Sequence, residues 1–193
     1  MIWKSAKVLK TFYKRLALTL SGFGITLSSL HHDQIEMVRH WRNSDHIKRY
    51  ARQQEPISSE QQEAWFNTLQ TKEDEYFVIS AHETPIGLIW FNVKEALIET
   101  GFYLYDETEQ NSLTPYKIVT LFHEYLFDTK HFEAIHCHIL HDNTRALRFN
   151  LSLGYTLFAE HEQTNEYILT HENYTEANAK LLKLLKLLKR ERS

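Results

Sequence analysis

The stretch "HCHILHDNTRALRFNLSLGYTL", His136 to Leu157, reads as strand, stop, helix, stop, strand. "HCHIL" is a short β run, and Asp142 and Asn143 interrupt it. "NTRALRFNLSLG" then carries helical spacing as far as Gly154, a residue suited to the left-handed conformation that ends helices. An Asn between strand and helix has two uses. Its side-chain oxygen can cap the helix "TRALRF". With a donor and an acceptor on one side chain, Asn143 can equally satisfy an amide of a bound ligand.

Working outward, the pattern is mixed α/β. "FGITLSSL" (23–30) reads as a strand, and Asp33 is placed to cap a helix over "QIEMVRHWRNS". Ser58 opens a second helix, with Trp65, Phe66 and Leu69 at inward spacing. "EYFVISA" and "IGLIWFNV" form a hairpin through "HETP", and "IETGFYLYDE" (98–107) is a third strand. A helix over 116–127, the strand and helix already described, and the strands "YTLFAEH" and "EYILTHE" complete the order. The spacing predicts β-α-α-β-β-β-α-β-α-β-β: one mixed sheet with helices on both faces.

Composition bounds the function. With 193 residues, 42% of them apolar, the chain is long enough for one cored domain. The net charge of −3 hides a segregation: residues 1–22 carry five basic residues and no acid, and 180–193 carry six basic residues against Glu191. Between these ends 11 basic residues face 24 acidic ones, which disfavours nucleic acid and favours a cationic or amine-bearing ligand. The domain is therefore expected over 23–179, with a basic extension at 1–22 and a basic tail at 180–193. Ile2, Ala6, Leu9, Tyr13, Leu16 and Leu20 share one helical face, favouring a helix docked on protein over one lying on a membrane surface. The lone Cys137 cannot close an internal disulfide, no apolar run is long enough to span a bilayer, and the chain reads as cytoplasmic. His136 and His138 alternate on one strand face, but no third ligand stands at recognisable spacing, so no metal centre is expected.

This order, together with "WRNSD", "PIGLIWF", "ETGFYL" and "HDNTRALRFNLSLGY", resembles the GNAT superfamily of acetyl-CoA-dependent N-acyltransferases over about residues 24–175. Within it, the chain looks most similar to nucleotide-sugar N-acetyltransferases of the pseudaminic-acid type, with ribosomal-protein N-terminal acetyltransferases as neighbours. The resemblance implies a mostly antiparallel mixed sheet that splays between its two central strands. Backbone groups of Leu104 and Tyr105 would then pair with the pantetheine amides of acetyl-CoA, and Asn143 would supply a further contact. Ser112, Leu113, Thr114 and Tyr116 would lie at the pyrophosphate. Trp41, Arg42 and Tyr50 would line the site of a small-molecule amine, most simply an amino group on a nucleotide-linked sugar. Glu99 would act as base through a water or hold a cationic amine, its bland alternative being an exposed strand residue. The oligomeric state stays open, a homodimer included.

Two departures bear on activity. The family's glycine-rich loop, whose N–H groups cradle pyrophosphate, is here "EQNSLTPY", and Pro115 has no N–H to offer. The tyrosine that many members use to protonate the leaving thiolate falls at Asn150, leaving Tyr103, Tyr105 or Tyr116 to substitute. The rival expectation is a GNAT-derived binding or scaffold domain that has lost efficient turnover.

Overall fold

The computed structural model describes residues 17–95 and 97–190. Eight strands form one sheet: β1 (Thr19–Gly22), β2 (Ile25–Ser29), β3 (Glu75–Ala81), β4 (Thr84–Lys94), β5 (Leu97–Leu104), β6 (Ala134–Leu140), β7 (Thr156–Glu160) and β8 (Thr164–Thr170). They lie side by side in the order β1-β2-β3-β4-β5-β6-β8-β7. Every neighbouring pair is antiparallel except β5 and β6.

Among the described residues six α-helices accompany it: α1 (Ile35–Asn43), α2 (Asp45–Lys48), α3 (Ser59–Thr68), α4 (Thr114–Glu124), α5 (Thr144–Ser152) and α6 (His171–Arg190). Alternation along each strand sends side chains to two cores. Leu27, Phe77, Ile79, Ile89, Phe91 and Ile135 join α4 through Ile118 and Phe122 on one face. Val78 and Leu88 meet Val38, Trp41 and Ile47 of α1 and α2 on the other. The mixed sheet and its two layers are those expected. None of the described helices is long and apolar enough to cross a membrane.

The local chemistry explains most boundaries. Ser58 caps α3 by accepting from Gln61 N, and the Gln61 side chain returns to the Ser58 N–H, a reciprocal cap worth about 1 kcal/mol. His82 and Glu83, both at positive φ, make the two-residue turn that joins β3 to β4. Asp33 does not cap α1: it sits inside a 3-10 turn, His32–Gln34, and Gln34 takes the cap position.

The N-terminal reading needs correction. Thr19–Gly22 is an edge strand, turned back onto β2 through Phe23 and Gly24 at φ 57° and 76°. Leu18 and Leu20 pack on the core two residues apart, the period of a strand. "LALTL" carries that alternation in plain view; a helical template fitted the leucines equally well. The rest of the helix expected over 2–20 falls on residues outside the described ones. At the other end, α6 runs unbroken through 180, so the basic tail begins within a helix that docks on the core.

Candidate active site

β5 and β6 run parallel, and their register consists of a single pair, Glu99 opposite His136. Thr100 Oγ1 fastens that point by donating to the His136 carbonyl at 3.1 Å. Beyond it, toward Leu104 on one side and Leu140 on the other, the strands have no paired residues. Backbone amides of unpaired strands must find partners elsewhere, so such a gap is a slot for an extended amide-bearing ligand.

One wall of the slot belongs to β5. Glu99, Gly101, Tyr103 and Tyr105 alternate onto the face covered by α1. Gly101 stands opposite Trp90, and a Cβ there would lie 2.5 Å from the indole. The missing side chain therefore lets Trp90 lie against β5, tilted against Tyr103 with ring centres 6.0 Å apart. The Tyr103 hydroxyl is buried with no hydrogen-bond partner among the described residues. Burial pushes this phenol up, and the Arg42 charge pulls it partly back. At neutral pH it keeps its proton, an unspent donor on the α1 face of β5.

The Glu99 carboxylate is bracketed by cations: Arg52 at 3.1 Å on one oxygen and Lys94 on the other. Its side chain is 15% exposed, so it is neither a solvated surface acid nor a free base. Arg42 of α1 is close enough to act on both Tyr76 and Tyr103. Trp41 is 4% exposed and stacks on Tyr105 at 5.5 Å, which makes it a core residue without an open ring face for a sugar. Tyr50 is exposed, with the Arg49 guanidinium over its ring.

The expected cofactor contacts divide. The Leu104 carbonyl accepts from Gln110 Nε2 at 3.1 Å, and Arg145 of α5 clamps Gln110 by both its side-chain and main-chain oxygens. Tyr105 is turned away: its N–H donates to Ile86 and its carbonyl accepts from His46. Ser112 and Thr114 have already spent their hydroxyls. Thr114 Oγ1 donates to the Glu109 carboxylate at 2.6 Å, Ser112 Oγ donates to the Glu109 carbonyl, and the same Ser112 oxygen accepts the Thr114 N–H. Leu113 is half exposed at the start of α4, Pro115 follows at the second helical position, and Tyr116 reaches Ser152 of α5. Asn143 caps α5 by accepting from Ala146 N at 3.0 Å, the first of its two readings. Asn150 is tied back to the Ala146 carbonyl and accepts from the Cys137 thiol, so it sits within the helix packing.

Arg52, Lys94, Glu109 and Gln110 were missed from sequence. They lie in polar loops or at a strand end, where no periodicity marks them. Only the folded chain carries Arg52 to Glu99.

A mixed sheet with one central parallel pair, joined at a point and open beyond it, with a helix starting on either side of the opening, defines an acyltransferase-type fold. The chain belongs to the GNAT acetyltransferase domain family, whose pattern matches residues 25–156. Among solved structures it is similar to apo FdhC, a nucleotide-linked sugar GNAT, at TM-score 0.74 and 19% identity, covering 88% of this chain and 99% of that one. It is similar to the Campylobacter jejuni N-acetyltransferase PseH in complex with acetyl coenzyme A, at TM-score 0.59 and 18% identity over 76% of this chain and 99% of that one. It is also similar to spermidine N-acetyltransferase from Vibrio cholerae in complex with CoA and spermine, at TM-score 0.69 and 16% identity, covering 78% and 98%. At these identities the likeness is one of fold. Among curated proteins the sequence finds no match.

Proposed function

We propose that this protein transfers an acetyl group from acetyl-CoA to the amino group of a nucleotide-linked amino sugar in the cytoplasm. The observation that carries the reading is the gap between β5 and β6, pinned at Glu99 and His136 and unpaired beyond. Amide formation asks for placement of the amine against the thioester, removal of its proton, and stabilisation of the oxyanion. The unspent Tyr103 hydroxyl is the donor for that oxyanion or for the departing sulfur.

The acceptor class follows from charge. A polyamine site needs open carboxylates, but Glu99 is already matched by Arg52 and Lys94. Two cations on one acid, with Arg42 close enough to act on Tyr76 and Tyr103 on the same sheet face, suit a diphosphate and let Glu99 fix the groups that bind it. In this assignment Glu99 is a positioning residue, Arg42, Arg52 and Lys94 bind the acceptor, and the exposed Tyr50 offers a ring at its rim.

The second reading, a domain that binds without efficient turnover, rests on Glu109 and Gln110. They fill the places where the pyrophosphate and a pantetheine amide would be held. Titration calorimetry with acetyl-CoA, followed by a thiol-release assay with amino-sugar nucleotides, spermidine and peptide amines, separates the two. Saturable binding and turnover on the amino-sugar nucleotide alone is the expected result. Arg52→Ala should then raise the acceptor KM about tenfold with little change in kcat, the pattern of a lost charged hydrogen bond. No heat with millimolar-scale acetyl-CoA would overturn the enzyme reading.

A further inference from the structure

On the same sheet face as Glu99, beyond β6, two imidazoles and a carboxylate converge. Glu166 of β8 stands directly opposite His138 of β6, and His161 reaches them from the β7–β8 turn. One ligand atom from each of the three lies within 4.8 Å of the others. The sequence shows only the His136, His138 pair, because the remaining members arrive through strand pairing and a turn.

Three observations give this cluster the character of a cation site. First, the contact between His161 Nε2 and Glu166 Oε2 is 3.4 Å, long for a charged hydrogen bond. Two donors on one ion at about 2.1 Å, set at tetrahedral angles, stand roughly 3.4 Å apart. Second, His138 Nδ1 is buried with no partner among the described residues, an orphan that a ligated ion would satisfy. Third, the other Glu166 oxygen is held by His136 Nδ1 at 2.8 Å, within a pair whose side chains are 6% and 9% exposed. A buried imidazole that orients a ligating carboxylate is the usual outer layer of a metal site. His136 is also the residue paired with Glu99 at the strand junction, and His138 feels the charges of Glu99 and Arg52. The cluster thus adjoins the mouth of the slot.

We propose that His138, His161 and Glu166 form a binding site for a divalent transition cation of the Zn²⁺ type, with His136 orienting the carboxylate. Two imidazoles and one carboxylate leave at least one coordination position for water or an acceptor oxygen. The site stands independently of the acyl-transfer reading, since its evidence is the ligand geometry alone.

The test uses the full chain stripped with chelator and titrated with Zn²⁺ by calorimetry, and with Co²⁺ by visible absorbance. One ion per chain at micromolar affinity, with ligand-field bands for Co²⁺, is expected. His161→Ala, at a side chain 47% exposed and expected to fold, should weaken binding at least about tenfold, and His138→Ala should do so too. Because the chain carries 12 histidines, a His31→Ala, His32→Ala double variant serves as control and should bind as the parent does. No saturable binding at about 0.1 mM metal overturns the proposal. Full affinity in a folded His161→Ala variant, or loss of binding in the control, overturns it as well.

Discussion

His123 sits in a box of rings, edge-on to Tyr174 at 5.0 Å and near Phe127 and Tyr155, and its Nδ1 is buried with no partner among the described residues. Burial pushes this imidazole down to about 3. In the unfolded chain it titrates near 6.5, so between those values the unfolded state binds the extra proton and stability falls as pH falls. The contribution is complete above about pH 6.5 and declines by roughly 1.4 kcal/mol per unit below it. Thermal melts of His123→Phe should therefore lose less between pH 7 and pH 5 than melts of the parent, by about 2 kcal/mol in unfolding free energy. At pH 7 the variant should be equal or slightly more stable, since it removes an unsatisfied nitrogen. Parallel acid losses in the two proteins would show that His123 is not the group responsible. The same scale shows why some residues had two readings from sequence. Asn143 caps a helix and Trp41 fills a core, and nothing in residue type distinguishes those duties from ligand contact until partners are seen.

The segment from Glu107 to the start of α4 is an element whose chemistry runs against its position. A helix N-terminus at this place attracts anions through its free N–H groups. Here the Thr114 N–H goes to Ser112, Pro115 supplies none, and the Glu109 carboxylate lies on Thr114 Oγ1. A carboxylate there repels a pyrophosphate and occupies the hydroxyl that would bind it. Glu109→Ala should consequently tighten acetyl-CoA binding about five- to tenfold by calorimetry, the scale of one removed like charge and one released donor. Unchanged or weaker affinity would mean that the cofactor does not approach this helix end. Half of this was legible: the loss of glycines and the proline are visible in "EQNSLTPY", whereas the capture of both hydroxyls by Glu109 depends on the turn Glu107–Asn111. The central strands and α5 were legible for the converse reason. Their alternation and caps are local, and tertiary contacts reinforce them. The edge strand Thr19–Gly22 was not, because four residues carry too little pattern to outvote a helical spacing of leucines.

For the molecule as a whole, the sheet is clamped on one face by α4 and by the first turns of α6, and the boundary expected at residue 180 falls inside that last helix. Tyr174 and Asn178 are 3% and 2% exposed, and Asn178 donates to the Leu153 carbonyl at the end of α5. Gly154, at φ 97°, passes so close to α6 that a Cβ would lie 2.7 Å from the Asn173 carbonyl. Leu182 still packs on the main core. Residues 171–182 are thus part of the domain, whatever the charges beyond them do. Burial of one tyrosine is worth about 2 kcal/mol and the doubly bonded Asn178 about 1–3 kcal/mol. At roughly 2–4 °C per kcal/mol for a chain of this size, their loss corresponds to about 6–20 °C. A chain ending at 183 should melt within about 2 °C of the parent, and one ending at 170 should melt at least about 6 °C lower or fail to fold. Scanning calorimetry of the two truncations decides it: equal melting temperatures would mean that α6 is an appendage, and the domain would then end at β8.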